Sequence, residues 1–357
     1  MKRAWGRWVW LAAGAVVIVL IFYNLSRSPE WRNFRWDHLW HSIVGARLDY
    51  LLLSVLLVYC SFVVRAIRWR FFMAPIKAAS LWVLFVGQIL GFSSIFLVGR
   101  PGELVRPAYI AQKENVSMSS MIAVWVLERV LDTIAMVVLF AAAIYFEPVN
   151  PDTAKGVFVL HEMHKWGHVL FVFTALLILL LVLFRLKAEA MTAAALKLFG
   201  FLPQRALRFF AHFLRSFGEG LSVIRDWKGL AGSVVTTVVL WVFNTTVVWL
   251  VFKSVRHHLG HLPWLAAALT LFCAALGLIV QFPGIGGGYQ VGVILALTEI
   301  FNVAVEPATA ASILLWIIIS VPCLVLGLLL LIQEGLSIRK LEAITEEEEK
   351  AVNLDES

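Results

Sequence analysis

The stretch Leu97-Val-Gly99-Arg100-Pro101-Gly102-Glu103-Leu-Val-Arg106-Pro107 interrupts a run of apolar residues that begins at Ser80. Two prolines, two glycines and three charges fall within these eleven positions. Proline removes a backbone donor and glycine is a poor helix former, so no unbroken helix passes through. A second interruption, Gln281-Phe-Pro283-Gly284-Ile-Gly286-Gly287-Gly288-Tyr-Gln290, lies between the apolar runs Leu262–Phe282 and Tyr289–Phe301. Broken backbone finds no partner in hydrocarbon and must lie against protein or a water-filled cavity. Each stretch therefore reads as the tip of a re-entrant helical hairpin. The backbone bends at Pro101 and Gly102 in the first, and at Pro283, Gly284, Gly286, Gly287, Gly288 and Gln290 in the second.

The flanking sequence establishes that the hairpins belong to a membrane. Further apolar runs lie at Trp8–Phe22, Leu48–Val64, Ser120–Phe146, Val169–Phe184, Leu230–Phe252 and Ala308–Ile332. Each is close to the length that crosses a bilayer's hydrocarbon as helix. Of 357 residues, 61% are hydrophobic and only 15% are charged, against about half and a quarter in soluble domains. That balance excludes a water-soluble enzyme, a nucleic-acid binder and a disordered regulator. The expected fold is an all-α polytopic membrane protein with about six full spans and two opposed re-entrant hairpins. Interrupted segments at matching places in two halves are the sign of an inverted repeat with a binding site between them.

Basic residues orient the spans. Lys2, Arg3 and Arg7 place the N-terminus in the cytoplasm, and Arg65, Arg68, Arg70 and Lys77 follow the second span on the same side. The segment Arg185–Lys228 is basic and cytoplasmic, whereas Glu147–His168 forms an outside loop. Lys253 and Arg256 misfit, being basic yet outside. Residues 1–332 form one transmembrane domain, with an amphipathic cytoplasmic segment at about 185–229. Residues 333–357 form an acidic cytoplasmic tail expected to be disordered, since eight acids there face three bases. Cys60, Cys273 and Cys323 sit inside apolar runs and read as packing residues.

Charges inside apolar sequence are the candidates for function. Arg100, Glu103 and Arg106 surround the first break, and Glu128, Arg129 and Asp132 lie in the next apolar run. Glu128 and Asp132 share one helix face, while Arg129 is turned about 100° from Glu128. A mid-membrane charge costs at least about 2.5–3.5 kcal/mol, so such residues face a partner or a water path. One reading is a polar cavity in which guanidinium groups grip a phosphate and carboxylates position them. The other is an ion-pair network that staples the hairpin to the next helix. Glu103 also suits the first turn of a helix begun by Pro101.

The Gly284–Gly288 cluster lacks the strand context of a dinucleotide fingerprint and reads as close packing. His161, His164 and His168 share a helix face, but their spacing matches no protease signature, and no metal or cofactor is expected. No catalytic motif is evident, so no enzyme activity is expected.

Taken in order, Arg65-Ala-Ile-Arg68-Trp69-Arg70, Gly99-Arg-Pro-Gly-Glu103-Leu-Val-Arg106, Leu127-Glu-Arg-Val-Leu-Asp132 and Pro283-Gly-Ile-Gly-Gly-Gly288 carry a resemblance. The chain resembles the lysylphosphatidylglycerol synthase transmembrane-domain family from about Tyr50 to Ile332, as a stand-alone member without the aminoacyl-transferase domain. Many members carry Pro-Gly-Gly-x-Gly and then an acidic residue, whereas here Ile285 intervenes and Gln290 is neutral. The resemblance implies a flippase-like transporter that moves an anionic or modified phospholipid between leaflets of a bacterial-type cytoplasmic membrane. On that reading Arg65, Arg68, Arg100 and Arg106 bind the headgroup, and Glu103, Glu128, Arg129 and Asp132 position charge or exchange protons. A non-transporting partner of a lipid-modifying or glycosyl-transferring enzyme, and a membrane-embedded enzyme on a lipid-linked substrate, remain as alternatives.

Overall fold

The structure, a computed structural model, describes residues 34–146, 154–187, 197, 227–278, 281–282 and 286–333. The apolar run Trp8–Phe22, residues Pro283 and Gly284, most of 185–229, the tail and the side chains of Arg100 and Pro101 lie outside the described residues. In chain order come α1 (Trp36–Val44), α2 (Leu48–Met73), α3 (Leu81–Val98), a 3-10 turn (Arg100–Leu104), α4 (Val105–Glu114) and α5 (Met118–Phe146). Then follow α6 (Ala154–Leu186), α7 (Trp227–Ser254), α8 (Arg256–Leu259) and α9 (Trp264–Gly277). The antiparallel pair β1 (Gln281–Phe282) and β2 (Gly286–Gly287) leads to α10 (Gly288–Leu295), a π turn (Ala296–Ile300) and α11 (Val305–Gln333). Four of the described helices, α2, α5, α7 and α11, are long and apolar enough to cross a membrane.

Both interruptions break their helices. Gly99, at φ 81°, ends α3, and Gly287, at φ 96°, precedes α10; both conformations favour glycine. Two expectations need correction. Helix α2 does not end before Arg65 but continues to Met73, so Arg65, Arg68 and Arg70 lie within a helix rather than a loop. Arg68 and Trp69 are wholly buried there, because carboxylates on α5 compensate the charge that the hydropathy pattern penalises. Likewise 154–168 is not a loop: α6 starts at Ala154 and carries His161, His164 and His168. In that helix the Nδ1 atoms of His164 and His168 bond the carbonyls of Leu160 and His164 at 2.8 and 2.7 Å. Among the described residues no three His, Cys, Asp or Glu side chains gather as a metal site.

The packing has a plan. Helices α2, α3, α4 and α5 correspond in order to α7, α9, α10 and α11. Exchanging the two sets reproduces the contacts: α2 meets α3 as α7 meets α9, α4 meets α5 as α10 meets α11, and α3 lies on α11 as α9 lies on α5. The related pair α2 and α7 forms the largest contact, at the centre. Small residues Gly229, Ser233 and Thr237 recur every fourth position on α7, and Gly232 leaves room for the Phe71 ring of α2. Hydroxyls in this seam bond carbonyls one turn back, as Ser233 does to Gly229 and Thr237 to Ser233, both at 2.7 Å. No water is needed to satisfy them.

A local device repeats too. Asn115 and Asn302 adopt left-handed backbone at φ 51° and 50°, each three residues before a long helix and each followed by valine. The Val116 N–H bonds the Ala111 carbonyl, and the Val303 N–H bonds that of Leu297. The second bond spans one residue more, as the π turn requires. At the end of α7 the Lys253 ammonium caps the carbonyls of Gly260 and Leu262.

Candidate functional site

A buried charge network sits where the first hairpin meets the central helix pair. Helix α2 brings Arg68 and Trp69, α4 brings Arg106, α5 brings Glu128, Arg129 and Asp132, and α7 brings Thr237 and Trp241. The Glu128 carboxylate is fully buried and is the hub. Its Oε2 accepts from Arg106 Nη2 at 2.5 Å and from Trp69 Nε1 at 3.1 Å, while its Oε1 accepts from Arg68 Nη2 and, at 3.3 Å, from Arg106 Nη1. Asp132 Oδ1 accepts from Arg68 Nη1 at 2.6 Å and from Trp241 Nε1 at 3.4 Å. Thr237 Oγ1 takes a further Arg68 hydrogen at 3.2 Å, and Gln88 Oε1 on α3 takes one from Arg106 at 2.7 Å. The guanidinium of Arg106 also stacks 4.8 Å above the Trp69 ring.

The network thus joins five helices through charge-assisted bonds, which are roughly twice as strong as neutral ones. Glu128 and Asp132, one turn apart, both hold Arg68, as their shared face predicts. Arg129 reaches back from its own face to within 3.6 Å of Glu128 and 3.4 Å of Asp132, and stays 41% exposed. Glu103 is half-buried in the 3-10 turn. Gln88, Thr237 and Trp241 were missed by sequence reasoning. Gln88 had a usable signal, as the only amide in the run Ser80–Val98; Thr237 and Trp241 had none, since both are ordinary in a membrane helix.

Beside the network lies a cavity of about 110 Å³. Its walls come from both sets of helices: Val58, Phe62 and Arg65 of α2 and Phe92 of α3 face Asn244 of α7 and Tyr289 of α10. The second hairpin supplies its share by close backbone packing. A Cβ at Gly277 would stand 2.0 Å from the Gly288 carbonyl oxygen, and one at Gly292 would stand 2.3 Å from that of Cys273. The Gln290 side chain accepts the Gly287 N–H at 2.7 Å and so caps α10, leaving Tyr289 turned to the cavity. Gly286 pairs with Phe282 across the tip. Of the residues singled out in sequence, the structure therefore gathers Arg65, Arg68, Arg106, Glu128, Arg129 and Asp132, and keeps Gly286, Gly287, Gly288 and Gln290 as scaffolding for the opposite wall.

Comparison with curated proteins finds no match. A family model described as the lysylphosphatidylglycerol synthase TM region matches residues 9–327, which is most of the chain. The broken helices, the arginine and carboxylate blocks and this match agree: the chain belongs to the lysylphosphatidylglycerol synthase transmembrane-region family.

Proposed function

We propose that this protein carries a phospholipid, anionic or modified in its headgroup, between the leaflets of a cytoplasmic membrane, without bond chemistry of its own. In this reading the two broken segments are re-entrant hairpins of opposite orientation, and both termini face the cytoplasm. The observation that carries the proposal is the cavity lined by both corresponding sets of helices, beside a buried arginine cluster. A headgroup crossing hydrocarbon needs a polar path, while its acyl chains remain in lipid. Among the described side chains, Arg65, Arg68, Arg106 and Arg129 outnumber Glu103, Glu128 and Asp132, so the cluster holds excess positive charge. That excess attracts anionic headgroups. The family membership supports a lipid-related role.

The test is a headgroup-translocation assay in proteoliposomes with labelled anionic, zwitterionic and aminoacylated phospholipids. Flux several-fold above empty liposomes and dependent on the headgroup is expected. Folded protein that gives no flux with any lipid would overturn the proposal and favour a scaffold for a lipid-modifying enzyme.

A further inference from the structure

Three of the described arginines near the centre are matched by carboxylates, and the fourth is not. Arg68, Arg106 and Arg129 each contact Glu128, Asp132 or both. Arg65, one turn before Arg68, makes no hydrogen bond or ion pair with any described residue. Its guanidinium lies 4.9 Å over the Phe92 ring, which orients it, and its Nε, like those of Arg68 and Arg129, is buried without a partner. Across the cavity stands Tyr289, only 9% exposed, whose hydroxyl is likewise buried and unpartnered. Both groups line the same cavity, one from each corresponding set of helices. Buried polar atoms are nearly always bonded, and two unmet donors on residues that line one cavity call for an acceptor.

We infer that Arg65 and Tyr289 form a binding site for a phosphate-type anion, with Asn244 at its edge. This deepens the transport proposal and rests on it only for the identity of the ligand as a lipid. Arginine's planar fork suits phosphate oxygens, and the tyrosine hydroxyl adds a single donor from the opposite wall. The volume, about 110 Å³, is that of several water molecules. It holds a phosphate group but not a whole lipid. The remaining walls are apolar, with Val58, Phe62, Phe96 and Leu271 among them. A phosphodiester with attached glycerol suits such walls better than a fully hydrated free ion, which would lose its water there.

The test uses the purified full chain in detergent micelles, read by quenching of tryptophan fluorescence. The probes are brominated phosphatidylglycerol, brominated diacylglycerol with the same chains, and inorganic phosphate as competitor. Saturable binding of phosphatidylglycerol at least tenfold tighter than diacylglycerol is expected. Failure of millimolar phosphate to displace it would assign the anion to a lipid headgroup; displacement would assign the same site to free phosphate. Arg65→Gln should weaken binding roughly tenfold or more, and Tyr289→Phe about three- to tenfold. Binding by both variants equal to wild type, or no saturable binding of either phosphate probe to wild type, would overturn the inference. Should Arg65→Gln fail to fold, Tyr289→Phe decides, since it removes a single oxygen. Arg65-dependent binding without liposome flux would sink the transport proposal and leave the site. Flux with binding indifferent to Arg65 and Tyr289 would do the reverse.

Discussion

In the first hairpin, α3 and α4 are tied to their surroundings by charge: Gln88 and Glu128 hold Arg106, and Glu128 is held in turn by Arg68 and Trp69. Glu114 closes the open end of the same hairpin by accepting the Ser80 N–H at 3.0 Å and facing Lys77. In the second hairpin, α9 and α10 touch backbone to backbone at Gly277 and Gly292, and no comparable ion pair among the described residues joins them. The two hairpins occupy corresponding places and both close on glycine, since a Cβ at Gly102 would stand 2.4 Å from the Ser94 backbone, yet only the first is also exposed to the loss of a single charged group. Charge tolerates small displacements but demands balance; close packing needs no balance but admits no extra atom.

The contrast can be broken most sharply at Glu128. Glu128→Gln keeps the shape but leaves the arginines Arg68 and Arg106 without their shared counter-charge, and should cost about 3–5 kcal/mol. Thermal unfolding in detergent would register this as a large fall in Tm, and an unchanged Tm would refute the role of charge as the tie. Asp132→Asn should cost less, about 1.5–3 kcal/mol, because Arg68 keeps Glu128 and Asp132 is partly exposed. Equal losses for the two variants in chemical denaturation would mean that the hub is not at Glu128.

On the other side of the comparison, Gly277→Ala should cost about 1–3 kcal/mol, since the added methyl meets backbone that cannot swing aside. Gly87→Ala on α3 is the matched control. Its nearest neighbour is a side-chain atom of Ile110 at 2.9 Å rather than backbone, and alanine favours helix by about 1 kcal/mol over glycine, which offsets the contact. Stability within about 1 kcal/mol of wild type is therefore expected there. If Gly277→Ala proved as mild as Gly87→Ala, close packing would not be what holds the second hairpin.

Much of this was legible in the residues. Pro101 and the glycines from Gly284 to Gly288 announced two breaks, because backbone chemistry acts locally and needs no knowledge of neighbours. The spacing of Glu128 and Asp132 announced a shared face for the same reason. The continuation of α2 through Arg65 and Arg68 was not legible. A window of hydropathy counts arginine as water-seeking and cannot see a carboxylate sixty positions away. The helical start at Ala154 was hidden similarly, since Glu162 and the histidines read as loop polarity. Gln88 could have been noticed, whereas nothing about Thr237 or Trp241 marked them before α7 was laid against α2.

The membrane class, the two interruptions and the arginine and carboxylate blocks can be read from the residues alone, because each follows from solvation or from the local geometry of the chain. Tertiary structure alone decided which arginine is paired and which is not. Arg65 and Arg68 differ by one turn of one helix, and only the placement of α5 gives carboxylates to Arg68 while Phe92 and a cavity fall to Arg65. Charge pairing is a matter of distance in space, and distances between remote segments are set by how the helices pack.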